Sequence, residues 1–600
     1  MERSPPLGQV QESLLPPDDN YVVNEPADDN NTLHNNNCSQ TSHDNHRNIN
    51  DHADEPTDAD GDADMNLIAN MDYKRLLTPD QMTAMLSNYS TSFNVVSISI
   101  LLPILKSNSL YADQVTAETS SMCASALIAG MIFGQLGGGA LGDLVGRRRG
   151  ILWVMVLQII GSLGGCFFIH VHDNGNDDDR GGNAIYWSIF EQLAAWRFLL
   201  GIGCGGVYPL AASLSSESQT QTNNQGISSN DRNGNSSGAL ALTPQQNIQR
   251  LKMLAATFST QGVGFVSVPI VALTTLLISG PNRLEFVWRF ILGFGAIPGI
   301  VLMYLRYKSF RMEQKEQEQE HNRLNEEELS EGVRGRNDDV DVEQDTDRTS
   351  DAGTTTGMST NIGIESEIAS ETAVRPTSNL WTAIKTEDQL FMKLVGTAGT
   401  WFLFDVVFYG NTLFQPVVIK TAFGYDDGDD DGMDNDEFSN LVKNIRDSMI
   451  LSTIALPGYF VSIALIGKRM CLQHFQTPKY IQMQGFACMA ILYTTISFTW
   501  DSLTQHHWLL VFLYGGTFFF SNYGPNTTTF MLPSITFSPE CRSTLNGISA
   551  ASGKAGALLG SLMFDPISNK YGDATVMMLC ALTSIFAGVI TAYCCKPPRL

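Results

Sequence analysis

The sequence lacks the features by which most soluble enzymes are recognised. Its 600 residues hold no glycine-rich nucleotide loop, no His/Cys spacing typical of a metal site and no nucleophile motif. The ten cysteines show no paired spacing, which indicates buried thiols rather than disulfides. Basic residues are few, with 37 Lys and Arg against 62 Asp and Glu, and this acidic balance argues against a nucleic-acid partner. We therefore expect neither an enzyme nor a protein with a cofactor or a bound metal.

The hydrophobic fraction of 43% is ordinary for a soluble protein, but it averages two different compositions. Residues 1–80 are rich in Asp, Asn and Pro, whereas long apolar stretches follow them. A segment of the first kind buries too little apolar surface to offset the entropy lost on ordering. We therefore expect a disordered acidic cytoplasmic tail at 1–80 and a flexible Ser/Asn/Gln-rich insert at 215–250. The tail has no basic stretch before an apolar core, so we expect no cleavable signal peptide.

The apolar stretches have the length of membrane-spanning helices, which need about 20 mostly apolar residues. Twelve stretches meet this length, six on each side of a highly charged segment at 307–390. The predicted spans are 85–106, 121–142, 150–170, 186–213, 254–278, 286–306, 392–416, 446–467, 480–500, 508–532, 546–564 and 574–595. The sequence thus predicts an all-α integral membrane protein with two six-helix halves, 81–306 and 391–595. A cytoplasmic linker at 307–390 joins them, with a helix over 311–328 because good helix formers fill it, and a short tail at 596–600 follows.

The orientation follows from the short loops, since Lys and Arg concentrate on the cytoplasmic side. The 2–3 loop carries three arginines at 147–149, and the 8–9 loop carries Lys468 and Arg469. A loop on the opposite side, at 426–436, is acidic. We therefore expect both termini in the cytoplasm, in a multi-pass protein of the plasma membrane rather than of an internal membrane.

The 2–3 loop reads GALGDLVGRRRG over 139–150. Gly139 and Gly142 allow helices to approach closely, and Asp143 can pair with an arginine or a helix terminus. This order resembles the loop that marks the major facilitator superfamily, although a plain cytoplasmic anchor is an alternative. We expect a loop that takes part in conformational change through Gly139, Gly142, Asp143, Gly146, Arg147 and Arg148.

Asp405 and Lys554 are ionisable residues well inside predicted spans of the second half. Asp405 is in an apolar run, where a carboxylate is costly unless it faces a cavity or a partner. Trp401 and Tyr409 share its helix face at spacings of four, and they are either part of a site or core packing. Lys554 is the only cation of its Gly/Ala/Ser-rich span. An ammonium at that depth favours an anion site over a lysine that snorkels to a helix end.

Four segments resemble the phosphate:proton symporters of the major facilitator superfamily. They read WRFLLGIGCGGVYPLAASLSSE at 196–217, FVWRFILGFGAIP at 286–298, WFLFDVVFYGNTLFQP at 401–416, and SNYGPNTTTFMLP with CRSTLNGISAASGKAGA at 521–557. The resemblance implies alternating access around a midplane site in the lipid bilayer, with inorganic phosphate or another small anion and protons as partners. It further implies that the phosphate site is lined by Tyr208, Gln261, Trp401, Asp405, Tyr409, Asn526 and Lys554. Asp405 is then the proton carrier, whereas Tyr208, Gln261 and Asn526 could instead serve helix packing.

The chain departs from this family at acidic positions. Val207 stands where the family has an aspartate before Tyr208, and Thr91 and Asn94 stand where span 1 carries an Asp-x-x-Asp pair. We expect transport that depends less steeply on pH, with fewer protons per substrate. An organic anion or a sugar is an alternative substrate, because Val207 makes the site more apolar. A non-transporting nutrient receptor is an alternative role.

Overall fold

The structure, a computed structural model, describes residues 78–169, 187–225, 243–335, 380–423, 435–469 and 475–596, which are almost entirely helical. The helices before the linker are α1 (Pro79–Lys106), α2 (Ala117–Val145), α3 (Arg147–Phe167), α4 (Ile189–Gln225), α5 (Pro244–Ser279), α6 (Leu284–Phe294) and α7 (Ile297–Gly335). After the linker come α8 (Leu380–Thr386), α9 (Leu390–Leu394), a π-helical turn (Val395–Gly399), α10 (Thr400–Phe423), α11 (Asn435–Ala455), α12 (Pro457–Leu465) and α13 (Pro478–Phe498). The last are α14 (Trp500–Leu503), α15 (His507–Ser521), a second π-helical turn (Asn522–Asn526), α16 (Thr527–Thr536), α17 (Arg542–Tyr571) and α18 (Asp573–Cys594).

Ten helical stretches in the described part of the chain are long and apolar enough to cross a membrane. They coincide with ten of the twelve predicted spans. The predicted spans 508–532 and 546–564 are helical, but they are not among the helices that are long and apolar enough to cross a membrane. The first is interrupted by the π-helical turn Asn522–Asn526, and the second, in α17, is rich in Gly, Ala and Ser. Both bury polar and small residues against other helices, which lowers their hydropathy, so twelve crossings stay a prediction.

Two helices of the first half extend past the predicted spans. α5 begins at Pro244 rather than at 254, because Thr243 and Gln246 form a capping box ahead of it. α4 continues to Gln225, so the first part of the predicted flexible insert at 215–250 is helical. Apolar content marks the membrane crossing, whereas capping and helix propensity set the helix ends.

The loops around the second half are also shorter than predicted. α11 begins at Asn435, inside the predicted acidic loop at 426–436. α7 continues to Gly335, which confirms the helix predicted over 311–328. The far end of the linker folds as α8, and the remainder of the linker and nearly all of the predicted tail lie outside the described residues.

Glycines bring α10 and α17 into backbone contact. A Cβ added at Gly556 would lie 2.1 Å from the carbonyl oxygen of Phe402, and one at Gly560 would lie 2.2 Å from that of Val406. Only glycine allows two helix backbones to approach so closely. Because 556 lies beside 402 and 560 beside 406, the two helices run parallel in a fixed register. This register places the middle of α17 against the middle of α10.

Candidate functional site

An ion pair lies in the interior where α10 and α17 meet. Lys554 Nζ lies 2.8 Å from Asp405 Oδ2 and 2.9 Å from the hydroxyl oxygen of Tyr409. The side chains of Lys554 and Asp405 are 3% and 2% exposed. Two charges this deeply buried are tolerated because each neutralises the other. An anion that reached Lys554 would compete directly with the Asp405 carboxylate.

Trp401 completes the same face of α10. Its indole packs against Gly553, where an added Cβ would lie 2.5 Å from Trp401 Cδ1, and it is within hydrogen-bonding reach of Asp405. The predicted spacing of four residues therefore directs Trp401, Asp405 and Tyr409 toward α17, and glycine at 553 makes room for the indole beside Lys554.

The first half of the chain reaches this pair through Tyr208. The Lys554 ammonium lies 5.7 Å from the centre of the Tyr208 ring, and the Tyr208 hydroxyl donates to Gln261 Oε1 at 3.3 Å. Tyr208 and Gln261 belong to α4 and α5, so the cluster combines side chains of both halves. A group shared by two halves can respond to their relative movement.

Asn526 joins the cluster through a residue that sequence reasoning missed. Its Nδ2 donates to the Tyr459 hydroxyl at 2.8 Å and to Asn522 Oδ1 at 2.7 Å. Tyr459, in α12, is fully buried and interacts electrostatically with Tyr208 and Tyr409. A tyrosine after a Pro-Gly pair in an apolar span was the available sequence clue, because a buried hydroxyl needs a polar partner.

A cavity of about 80 Å³ adjoins the pair and is lined from both halves. Tyr409, Tyr459 and Asn522 contribute its polar surface on the C-terminal side, and α1 and α5 close the opposite wall. That volume holds several waters or one small ion. The lining residues of α10 follow Asp405 in the chain, so the cavity lies on the side of the pair away from the first turn of α17.

The 2–3 loop holds the first turn of α17, on the other side of the pair. Asp143 accepts hydrogen bonds from the Thr544 backbone at 2.7 Å and hydroxyl at 2.8 Å, and from the Ser543 backbone at 3.3 Å. A carboxylate at a helix N-terminus caps its free N–H groups and meets the positive end of the helix dipole. The two halves are thereby joined about 15 Å along α17 from Lys554, at 1.5 Å per residue.

The other residues of the loop support this junction. Arg147 lies 3.1 Å from Asp143, 3.2 Å from Glu217 and 2.8 Å from the Pro539 carbonyl oxygen, whereas Arg148 pairs with Asp80 at 2.6 Å. Gly139 and Gly142 lie against Ser543, and Gly146 has a φ of +104° that ends α2. Gly139, Gly142, Asp143 and Arg147 thus lie at an interface between the halves, whereas the Arg148 pair lies within the first half.

The neutral residues at the acidic positions of the resembled family have structural surroundings of their own. Val207 is fully buried among apolar side chains, including Val154 and Leu210, rather than in the cavity. Asn94 donates to the Gly295 carbonyl oxygen at 3.0 Å, and Thr91 donates to Gln158 Oε1 at 3.4 Å. These three positions therefore link α1, α3, α4 and the α6–α7 junction.

Comparisons with known proteins agree with this architecture. The model of the Major Facilitator Superfamily matches residues 88–561. The probable inorganic phosphate transporter 1-6 of Arabidopsis thaliana is 27% identical over 509 residues, covering 80% of this chain and 81% of that protein. The probable inorganic phosphate transporter 1-10 of Oryza sativa subsp. japonica is 32% identical over 453 residues, covering 72% and 69%. The proton:xylose symporter XylE of E. coli shares the fold, with a TM-score of 0.55 at 16% identity over 86% of this chain and 96% of that one. The chain is therefore a multi-pass membrane protein that belongs to the Major Facilitator Superfamily.

Proposed function

We propose that this protein is a secondary transporter that carries inorganic phosphate across a membrane together with protons. The relatives described above are named as inorganic phosphate transporters. The observation that carries the proposal is the buried Lys554 ammonium, held by Asp405 and Tyr409 beside a cavity lined by both halves. A compact ammonium with hydroxyl and amide donors nearby suits a small oxyanion.

Phosphate and proton binding are linked through the competition for Lys554. When phosphate oxygens take the ammonium, Asp405 loses its main counter-charge while it stays buried. A carboxylate in that position is favoured in its protonated form. Phosphate binding therefore promotes proton uptake by Asp405, and the Lys554–Asp405 pair forms again after both have left. Tyr208, Gln261, Trp401 and Asn526 orient the anion.

Alternating access requires that the two halves separate on one side at a time. The Asp143 cap on α17 closes the side that carries the basic loops, and the cavity lies on the other side of the pair. Release of Asp143 and Arg147 from the first turn of α17 opens the basic side. In this orientation both termini and the linker are cytoplasmic, and the membrane is the plasma membrane.

Equilibrium binding of labelled phosphate to the purified protein tests the substrate and the role of Lys554. We expect Lys554→Ala to weaken binding by about 10- to 100-fold, the value of a hydrogen bond to a charged group. Lys570→Ala is the matched control, because Lys570 is an exposed lysine of the same helix. Unlabelled sulfate, an organic anion and a sugar serve as competitors. Stronger competition by the organic anion or the sugar than by phosphate would reject phosphate as the substrate.

A further inference from the structure

Arg197, in α4, is a buried charge that the proposed transport site does not use. Its side chain is 1% exposed, and none of its three guanidinium nitrogens has a hydrogen-bond partner among the described residues. Arginine stays charged in proteins, and an unpaired buried charge is strongly destabilising. Native structures pair such groups with a carboxylate or another anion. Arg197 therefore calls for a counter-charge.

The neighbours of Arg197 are neutral donors rather than acids. The groups that interact with the guanidinium electrostatically are the thiols of Cys123 and Cys204. Cys204 lies seven residues further along the same helix and is hydrogen-bonded to Thr91 of α1. A thiol hydrogen is only a weak donor, and that of Cys123 is directed at the Phe190 carbonyl oxygen at 3.6 Å. The guanidinium is thus surrounded by neutral groups that supply no counter-charge.

Carboxylates at this end of the first half are engaged elsewhere. Glu191 accepts from the Ser188 backbone at 2.7 Å, at the start of its own helix. Glu285 accepts from Arg289 at 2.7 Å and from the Trp288 indole at 2.8 Å. Asp113 and Glu118 are exposed, and the one acid of α1, Asp80, pairs with Arg148 and Arg306 at the opposite end of that helix.

We propose that Arg197 binds a small inorganic anion, chloride or dihydrogen phosphate, between α1, α2 and α4. The three guanidinium nitrogens, which have no partner among the described residues, supply both the charge and the hydrogen bonds. This site is separate from Lys554, because Arg197 precedes Tyr208 by eleven residues, about 16 Å along α4. The bound anion neutralises the Arg197 charge, for which α1 supplies no carboxylate nearby. Binding of this anion does not require that the protein transports phosphate.

Thermal unfolding of the purified full chain in gluconate, at constant ionic strength, tests the proposal. Chloride and inorganic phosphate are added separately, so that the anion is identified and general screening is excluded. We expect one or both to raise the Tm by about 2 °C or more at saturation. The Arg197 and Thr91 variants are compared in the Lys554→Ala background, because phosphate bound at the transport site would itself raise the Tm. In that background the response should persist, Arg197→Lys should keep it and Arg197→Gln should lose it.

A carboxylate placed at Thr91 provides the complementary test, and it applies even where Arg197→Gln does not fold. Thr91→Asp supplies the counter-charge from within the chain, so the variant should be stable in gluconate and should not respond to chloride or phosphate. Thr91→Asn is its uncharged control and should respond as the wild type does. An unchanged response in Arg197→Gln or Thr91→Asp, or no response of the wild type to either anion, would overturn the proposal.

Discussion

Asp405 has two roles in this account, as the counter-charge of Lys554 and as the proton carrier. The Asp405→Asn variant separates them, because an amide still accepts a hydrogen bond from Lys554 but cannot carry a proton. We expect the affinity for phosphate to fall by less than about tenfold, which is the effect of losing one hydrogen bond, while proton-driven transport is lost. Binding and uptake are measured on the same preparation, with the exposed Asp501→Asn as control. An equal loss of binding and uptake would contradict the division of roles.

Val207 is fully buried in an apolar cluster, so an acid there has neither water nor a partner. We expect Val207→Asp to destabilise the protein by several kcal/mol instead of restoring a steep pH dependence. Val207→Ala, which only removes methyl groups, should cost less. Tm and yield of folded protein are compared for the two variants. A well-folded Val207→Asp protein with sharper pH dependence would show that water reaches this position.

The sequence could identify Asp405 and Lys554 because a charge inside an apolar span is conspicuous. It could not identify the partners of Asn526, since Tyr459 and Asn522 look like ordinary members of helical segments. The hydrogen bond from Thr544 to Asp143 joins residues about 400 positions apart, and no local pattern predicts it. Arg197 lies in one of the segments that resemble the family. Only the structure shows that its guanidinium is buried without a hydrogen-bond partner among the described residues.

The geometry of the Lys554–Asp405 pair depends on the glycine contact between α10 and α17. A Cβ at Gly556 would lie 2.1 Å from the Phe402 carbonyl oxygen, so Gly556→Ala must push the helices apart. We expect a lower Tm, by an overpacking cost of about 1–3 kcal/mol, together with weaker phosphate binding. Gly137→Ala is the matched control, because a Cβ there meets nothing within 4 Å and alanine favours helix. Equal behaviour of the two variants would refute this role of the contact.

The end of the linker is fastened to the loop before α17. Leu380 and Ile384 of α8 pack against Phe537 and Leu545, and Glu387 accepts from the Ser538 hydroxyl and pairs with Lys393. Burial raises the pKa of Glu387, but the bonds from Lys393 and Ser538 outweigh it and hold the pKa below its usual value.

The lowered pKa of Glu387 gives this contact a defined pH dependence. A carboxyl group whose pKa is lowered by folding stabilises the protein at pH values above its unfolded pKa of about 4.3. That stability is lost as the pH falls through the pKa of the folded state. We expect amide exchange in α8, corrected for intrinsic rates, to accelerate between about pH 5 and pH 3 in the wild type. Glu387→Gln should exchange faster at pH 7 already, with little further change on acidification, whereas Asp388→Asn should follow the wild type. A wild-type profile without pH dependence would contradict this assignment.

Helix positions were predictable to the extent that apolar length defines them. The ten helical stretches that are long and apolar enough to cross a membrane match predicted spans, because a helix that crosses a bilayer needs a run of apolar residues. The helix ends were not predictable in this way, as α5 shows with its capping box at Thr243. The Gly524-Pro525 pair predicts a break in the helix, but not the π-helical form of the turn Asn522–Asn526, in which Gly524 packs against Gly485 of the neighbouring helix.

In the whole molecule, contacts of several kinds join the two halves. A capped helix end joins them at Asp143, aromatic packing joins them at Phe258 and Phe530 with ring centres 4.7 Å apart, and the Tyr208–Lys554 contact lies at the site. Asp405 is the carboxylate that faces Lys554 among the described residues. A single proton per transport cycle through this pair is therefore what we expect, in line with the neutral residues at Val207 and Asn94.

Uptake of labelled phosphate into proteoliposomes with an imposed pH gradient tests whether phosphate entry is coupled to protons through Lys554 and Asp405. With the membrane potential clamped, an acidic exterior should drive phosphate above its equilibrium level in vesicles that hold the wild-type protein, and a protonophore should abolish the accumulation. Lys554→Ala should give no accumulation, and Lys570→Ala should behave as the wild type does. Accumulation that is independent of the pH gradient would contradict the coupling through Asp405, and the absence of phosphate entry at any pH would contradict the assignment of the substrate.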